Sequence, residues 1–301
     1  MASVSSLAEA SEALAAAHAE RRTLRIGEEL TTDGLDRILE HEAGDLTCTV
    51  ETGVRLSSLQ RALAEHGQRL SLDPPGDPTV GALLAENPSG PLRHRFGAPR
   101  DLVLGVTLVL ADGTIASAGG KVVKNVAGYD LARLVCGSRG RLALIARASF
   151  RLHPLPRAAR TLAVKTDDAA VAVAALLRSQ LQPSALDLLH PGRVLLLFEG
   201  SSRAVETQLR ETQALVGGEE AGPEAWNESR HLQGAARGRL TFDPGRLAVA
   251  LRYLEAGAVV RPAAGVAYTP SDTVSREPEP AVARLIERIA REFDPHGVLA
   301  G

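Results

Sequence analysis

LQRALAEHGQRLSLDPPGDPTVGALLAENPSGP, residues 59–91, sets three kinds of backbone side by side. LSSLQRALAEHG, from Leu56, has the spacing of an amphipathic helix, and Gly67 stands where a left-handed residue closes such a helix. QRLSLDPPG then runs extended into a turn stiffened by its prolines. Thr79 can cap a short helix through Ala85, after which NPSGP must be loop.

The same mixture continues on both sides. Upstream, residues 5–19 carry Ala and Leu at helical spacing behind Ser5 or Ser6, and TLRIG (23–27) reads as a short strand. In LTCTVE, Leu46, Cys48 and Val50 alternate with Thr47, Thr49 and Glu51, the pattern of a half-buried strand. Downstream come the buried strand DLVLGVTLVL, a tight turn at ADGT and the strand TIASAG. Asp130 can cap LARLVC, Gly137 closes that helix, and LALIARASFRLHPLP is a long strand that leaves through prolines, which sets a domain boundary near Leu155.

The second half has another rhythm. TLAVKT, DDAAVAVAALLRSQ, ALDLLH, VLLLFEG and SRAVETQLRETQALVG follow the order β-α-β-β-α of a ferredoxin-like layer. AVVRP and GVAYT are further strand candidates, AVARLIERIAREF is a terminal helix and FDPHGVL closes the chain. Residues 217–238, rich in Gly, Glu and Ala, are the predicted mobile stretch. The expectation is an α+β protein with domains at 1–155 and 156–301.

Composition narrows the function. With 301 residues, 45% hydrophobic and 23% charged, the chain suits a soluble globular protein of two domains. A formal charge of −2, scattered basic residues and few aromatics (three Tyr, five Phe, one Trp) give no footprint for nucleic acid. Cys48 and Cys136 form no CxxC pair and are expected buried and reduced; no metal site is expected, since the histidines show no HExxH pairing. No apolar run reaches the length of a membrane span, and the N-terminus lacks the apolar core of a signal peptide, so the expected location is cytoplasmic.

Common catalytic motifs fail on inspection. Around Lys121, Ile115 and Val122 stand where GxxxxGK[ST] needs Gly and Ser or Thr. GSRGRL (137–142) is not GxGxxG and follows a helix, and GxSxG is absent.

What remains is an ordered set of segments: DLTCTVETGV (45–54), residues 59–114 ending in VLADGT, and GGKVVKNVAGYDLARLVCGSRGRLALI (119–145). In this order and spacing, across residues 21–156, they resemble the flavin-binding domain of the vanillyl-alcohol oxidase and p-cresol methylhydroxylase (PCMH) family. Within it the likeness is greatest to the FAD subunits of the glycolate oxidase kind, and GVAYT and FDPHGVL share it. The resemblance implies a PCMH-type domain of two α+β subdomains followed by a ferredoxin-like cap, with FAD as cofactor. Glycines suit such a ligand, because they let backbone N–H groups approach a pyrophosphate. By resemblance Pro75, Gly76, Thr79, Val80 and Gly81 lie near the phosphates and ribityl chain, with Asn87, Ser89 and Gly90 next along the cofactor. Gly97, Leu104 and Gly105 edge the flavin, and Gly128, Tyr129, Gly140, Leu142 and Ile145 complete its walls.

The chain also departs from that pattern. Where the family carries a GGGTK-like loop after the strand matching TLRIG, Gly27 is followed by EELTTDG and at once by LDRILEHEAGD. Glu28 and Glu29 fall at the diphosphate position, and like charges ~4 Å apart repel by about 1 kcal/mol in water and about 4 kcal/mol when half-buried. Pro88 removes an N–H donor, Glu86 adds an anion, and Arg141 and Ala143 add bulk.

Two functions follow from the resemblance. One is a flavoprotein subunit that oxidises a small 2-hydroxy acid such as glycolate inside a multisubunit complex, peripheral to a membrane through its partners. There Arg93 and Arg95 attract the substrate carboxylate, His94 accepts a proton, and Lys121 and Lys124 are candidates for cofactor charge. The other is a flavin-free structural subunit of such a complex.

Overall fold

A serine cap starts the first element. In the computed structural model, which describes residues 2–120, 130–273 and 279–300, helix α1 (Leu7–Ala19) begins at Ser6, whose hydroxyl accepts the Glu9 N–H. Glu9 reaches back to the Ser5 N–H at 2.8 Å. Ala10, Leu14 and Ala17 face inward, where they meet Leu24, Leu30, Leu35, Val109 and Leu144.

The period-two runs form an antiparallel five-stranded sheet, ordered β1-β2-β5-β3-β4. Its strands are β1 (Ile38–Glu42), β2 (Thr47–Glu51), β3 (Val103–Val109), β4 (Ile115–Gly119) and β5 (Leu144–Arg151). Helices α2 (Leu56–Ala64) and α3 (Val80–Glu86) pack on it, and Leu59, Leu63, Leu83, Leu84, Leu108 and Phe150 are fully buried between them. A short helix α4 (Leu131–Val135) is capped by Asp130, whose Oδ1 accepts the Arg133 N–H at 3.1 Å. Both cysteines are free, Cys48 buried and Cys136 half-buried.

Strand β2 is more buried than its alternation predicts. Glu51 is 1% exposed, and a buried carboxylate persists only when paired. Arg37 supplies the pairing with Nη2 2.9 Å from Oε1 and Nε 3.0 Å from Oε2, which holds the Glu51 carboxyl below its usual range.

The second domain is built on a seven-stranded antiparallel sheet. It opens with β6 (Ala158–Lys165), α5 (Ala169–Arg178), β7 (Ala185–Leu189), β8 (Arg193–Gly200) and α6 (Ser202–Val216), the expected β-α-β-β-α order. Then come β9 (Glu219–Ala221), α7 (Glu224–Gly234), β10 (Gly238–Thr241), β11 (Val259–Arg261) and β12 (Val266–Thr269), giving the strand order β9-β6-β8-β7-β11-β12-β10. One face buries Val173, Leu176, Val205 and Leu209 from α5 and α6; the other buries Ala225 and Trp226 from α7.

Residues 217–238 are therefore ordered structure, contrary to the mobile stretch predicted. Trp226 is the reason. Its indole is buried against the sheet and its Nε1 donates to Thr161 Oγ1 at 2.8 Å, which satisfies the one polar group of a large apolar side chain.

The chain finally returns to the first domain, so the range 156–301 does not form one body. In helix α8 (Pro280–Phe293), Ile289, Ala290 and Phe293 pack against the core of the first domain. Asp294 accepts from the Val298 and Leu299 N–H groups at 2.9 and 2.6 Å, and Leu299–Ala300 pairs in parallel with Leu24–Arg25. The signal for this return is apolar: Val298 and Leu299 are buried beside α1.

A buried ion pair clamps the two domains together at the end of β8. Arg69 donates Nη1 to Oε1 and Nη2 to Oε2 of Glu199 at 2.7 and 2.6 Å, with both side chains largely shielded from water. Removing one partner strands the other charge, so Glu199→Ala is expected to cost about 3 kcal/mol in denaturant unfolding. The Arg69→Ala/Glu199→Ala double variant should recover part of that loss; strict additivity of the two substitutions would refute the coupling.

Candidate functional site

The backbone after Arg25 forms the turn expected at the phosphate end. Gly27 adopts φ +91° and folds the chain into a tight turn, with its N–H donating to the Leu30 carbonyl at 2.9 Å. The N–H groups of Glu28 and Glu29 both donate to the Arg25 carbonyl, at 3.3 and 2.8 Å. Glu29 Oε2 accepts the Arg25 N–H at 2.9 Å, and Glu28 pairs with the Arg25 guanidinium at 3.3 Å. These donors are spent inside the turn, and the charge on its tip is negative.

The next segment is committed in a similar way. Thr79 Oγ1 accepts the Ala82 N–H at 3.2 Å, while the Val80 and Gly81 N–H groups donate to the Val54 and Thr52 carbonyls at 2.9 and 2.7 Å. Asn87 closes α3 in the left-handed region at φ +51°, and its Oδ1 accepts the Arg100 N–H at 3.2 Å. Leu142 and Ile145 are buried in the core of the first domain, and Leu104 is half-buried beside it. Gly128 and Tyr129, like Lys121 and Lys124, lie outside the described residues.

The glycines expected along a cofactor separate into two groups. At Gly90 a Cβ would stand 1.8 Å from the Asp73 carbonyl oxygen, so the close approach of two chain segments alone requires glycine. Gly81, Gly97, Gly105 and Gly140 are likewise pressed by the protein's own atoms, from Thr52, Asp101, Gly120 and Ile26. Gly76 is different: at φ +73° its Cβ direction meets nothing within 4 Å.

Gly76 opens onto a cavity of about 470 Å³ between the domains. Pro74, Pro75 and Gly76 form one wall; Asn227, Arg230 and His231 on α7 form the other, with Gly234 and Ala235 at its end. Behind it lies a buried polar network. Asp187 and Arg261, 0% and 3% exposed, are paired at 3.2 Å. Arg261 Nη1 and Gln233 Nε2 donate to the Ser89 carbonyl at 2.6 and 2.8 Å, and Ser229 Oγ donates to Asp187 Oδ2 at 2.5 Å. Asp73 Oδ1 accepts the Leu92 N–H at 3.0 Å, and its Oδ2 lies 3.6 Å from Arg230 Nη1. Burial pushes the Asp73 carboxyl up to about 7 against the opposing pull of the Leu92 N–H, Arg261 and Arg230.

The basic trio is divided by a helical turn at Arg93–Phe96. Arg93 donates from Nη1 to Ser89 Oγ at 3.1 Å, and Arg95 lies over the Phe96 ring at 5.8 Å. His94 faces Leu176, Leu181, Leu186 and Leu196 in a cavity of about 150 Å³, where burial holds its imidazole below its usual pKa. The structure thus brings Pro75, Gly76, Ser89, Gly90 and Arg93 to one interdomain seam and turns His94 toward apolar neighbours. Among the described residues no cluster of His, Cys, Asp or Glu could hold a metal ion.

Sequence reasoning missed Asp73, Asp187, Arg230, His231, Gln233 and Arg261. The available signal was the arginine ending the apolar run AVVRP, an unusual residue for a strand with no solvent face.

Residues 3–119 match the family described as FAD binding domain. Glycolate oxidase subunit GlcE of Escherichia coli is 32% identical over 201 residues, 65% of this chain and 56% of that protein. Glycolate oxidase subunit GlcD of Bacillus subtilis is 33% identical over 181 residues, 58% of this chain and 38% of that protein. The chain thus matches about half or less of the length of these relatives. Among solved structures, an alkyldihydroxyacetonephosphate synthase superposes with a TM-score of 0.74 at 14% identity, covering 98% of this chain and 75% of the other. The fold is that of PCMH-type FAD-binding proteins.

Two substitutions test the seam. Gly90→Ala drives a methyl into backbone and should cost at least about 2 kcal/mol, read as a lower thermal midpoint. Asp73 keeps its proton in the folded state at pH values where the unfolded chain has lost it. Its contribution is therefore full at low pH and falls as pH rises from the unfolded value of 3.8 to about 7. Asp73→Asn should gain stability relative to the parent across that window, and parallel pH–stability curves would contradict the assignment.

Proposed function

We propose that this chain, whose residues 3–119 match the FAD binding domain family, is the FAD-domain subunit of a multisubunit oxidoreductase acting on a small 2-hydroxy acid such as glycolate. The observation that carries this reading is the convergence of second-domain side chains on the loops 73–76 and 87–90. Arg261 and Gln233 hold the Ser89 carbonyl, and Arg230 stands against Asp73 beside the cavity. A cationic wall facing a cavity with a glycine left open suits an anionic ligand held between domains. FAD, when bound, supplies the electron acceptor; the polypeptide's part is to bind and orient the acid. The names of the relatives, glycolate oxidase subunits, support membership of a complex. No helix among the described residues is long and apolar enough to cross a membrane, which fits a cytoplasmic subunit attached peripherally through partners.

At the turn where the resemblance puts the diphosphate, the residues present do not suit it. The Gly27 turn has spent its donors and presents Glu28 and Glu29. That observation favours a second reading, a flavin-free structural subunit that keeps the fold for docking. Titration with FAD separates the two. The oxidoreductase reading expects flavin absorbance that survives desalting, and several-fold tighter binding in Glu28→Gln/Glu29→Gln, which removes repulsion at the turn. Colourless protein whose melting temperature ignores excess FAD would establish the second reading instead.

A further inference from the structure

Where the first domain passes into the second, one aromatic ring gathers basic side chains around it. The centroid of the Phe96 ring lies 5.3 Å from the Arg69 Cζ, 5.8 Å from the Arg95 Cζ and 4.7 Å from the centroid of the His153 ring. His153–Pro154 pairs antiparallel with Gln68–Arg69, which sets His153 opposite Arg69. Arg151 joins them through the alternation of an extended chain: it and His153 flank the buried Leu152 and so project to the other side. Two residues further on, Leu155 is 40% exposed.

The charge of this cluster is not balanced from within. Glu199 is the carboxylate that reaches it, and Arg69 takes both of its oxygens. Arg95 and Arg151 are exposed, and among the described residues their guanidinia make no hydrogen bond or ion pair. His153 registers the excess. Its Nδ1 is buried without a partner, and burial, followed by the charges of Arg151, Arg69 and Arg95, pushes its imidazole down to about 4.

Exposure decides the size of the occupant. A single ion pair in water is worth little, so a lone small anion gains little here, whereas a chain carrying several carboxylates meets both guanidinia at once. A lipid surface is read by clusters of about four to eight basic side chains, and nucleic acid by a run of phosphate contacts; two unpaired guanidinia with an apolar neighbour suit neither. We propose that the surface formed by Arg95 and Arg151 beside Phe96 and His153 docks an acidic segment of a partner protein, whose carboxylates pair with the two guanidinia. That a partner exists rests on the subunit reading above; its acidity rests on this surface alone.

Titration of the full chain against a short, capped, fluorescent oligoglutamate peptide tests the surface, with an oligolysine peptide as control and free glutamate and phosphatidylglycerol vesicles as competitors. Saturable binding of oligoglutamate is expected, weakened by added salt, with none of oligolysine. Arg95→Gln and Arg151→Gln should each weaken it about threefold and the double variant about tenfold, with the thermal midpoint unchanged because both side chains lie on the surface. The His153 ring resonances, identified by their loss in His153→Gln, should shift when the peptide is added. Absent binding, equal binding by parent and double variant, or unmoved His153 resonances overturn the proposal. Free glutamate that competes as well as unlabelled peptide overturns the docking of a chain, and vesicles that compete better than the peptide overturn the protein partner. The peptide titration needs no flavin, so the two readings fail separately: peptide binding by colourless protein sustains the surface, and flavin uptake without peptide binding sustains the oxidoreductase reading and removes the surface.

Discussion

The Arg261 guanidinium is the constraint on which the arrangement of the two domains depends. It leaves the end of β11 almost fully buried, satisfies Asp187 within its own domain, and donates to the backbone of Ser89 in the other. A buried charge of this kind costs several kcal/mol to desolvate, and the cost is met only if each donor finds a partner. Gln233 completes the set by donating to Ser89 and accepting from Arg261 Nη2 at 2.5 Å. The loop 87–90 is thereby fixed by side chains more than 140 residues away in the chain, and the cavity beside it acquires its width from the same contacts.

Several of the glycines expected along a cofactor serve the protein's own packing. Loop 87–90 presses on Asp73, and the start of α3 presses on Thr52. The architecture is held by such close approaches, whereas the Gly27 turn is closed by its own hydrogen bonds to Arg25 and Leu30.

Much of the fold was legible before any coordinates. Thr79, Asp130 and Ser6 announce their helices through capping chemistry, and the β-α-β-β-α rhythm of the second domain follows from local periodicity. The seam was not legible, because Asp73, Arg230 and Arg261 come from three separated segments and none sits in a motif; only the sheet order brings them together. Glu51 and the stretch holding Trp226 were misjudged for one reason: local polarity suggested solvent, and a distant partner, Arg37 or Thr161, supplied the missing hydrogen bond.

The return of α8 and the tail to the first domain has a mechanical meaning. The second domain leaves the first near Leu155 and rejoins it through residues that pack on the core holding Phe150 and on the cluster beside α1. It is carried as an insertion with two attachment points on one body. A domain hung from a single strand can swing in any direction, but one held at two points can only rock about the line joining them. Any opening of the seam is then a motion with essentially one degree of freedom, resisted by the Arg69–Glu199 pair and by the grip of Arg261 on Ser89.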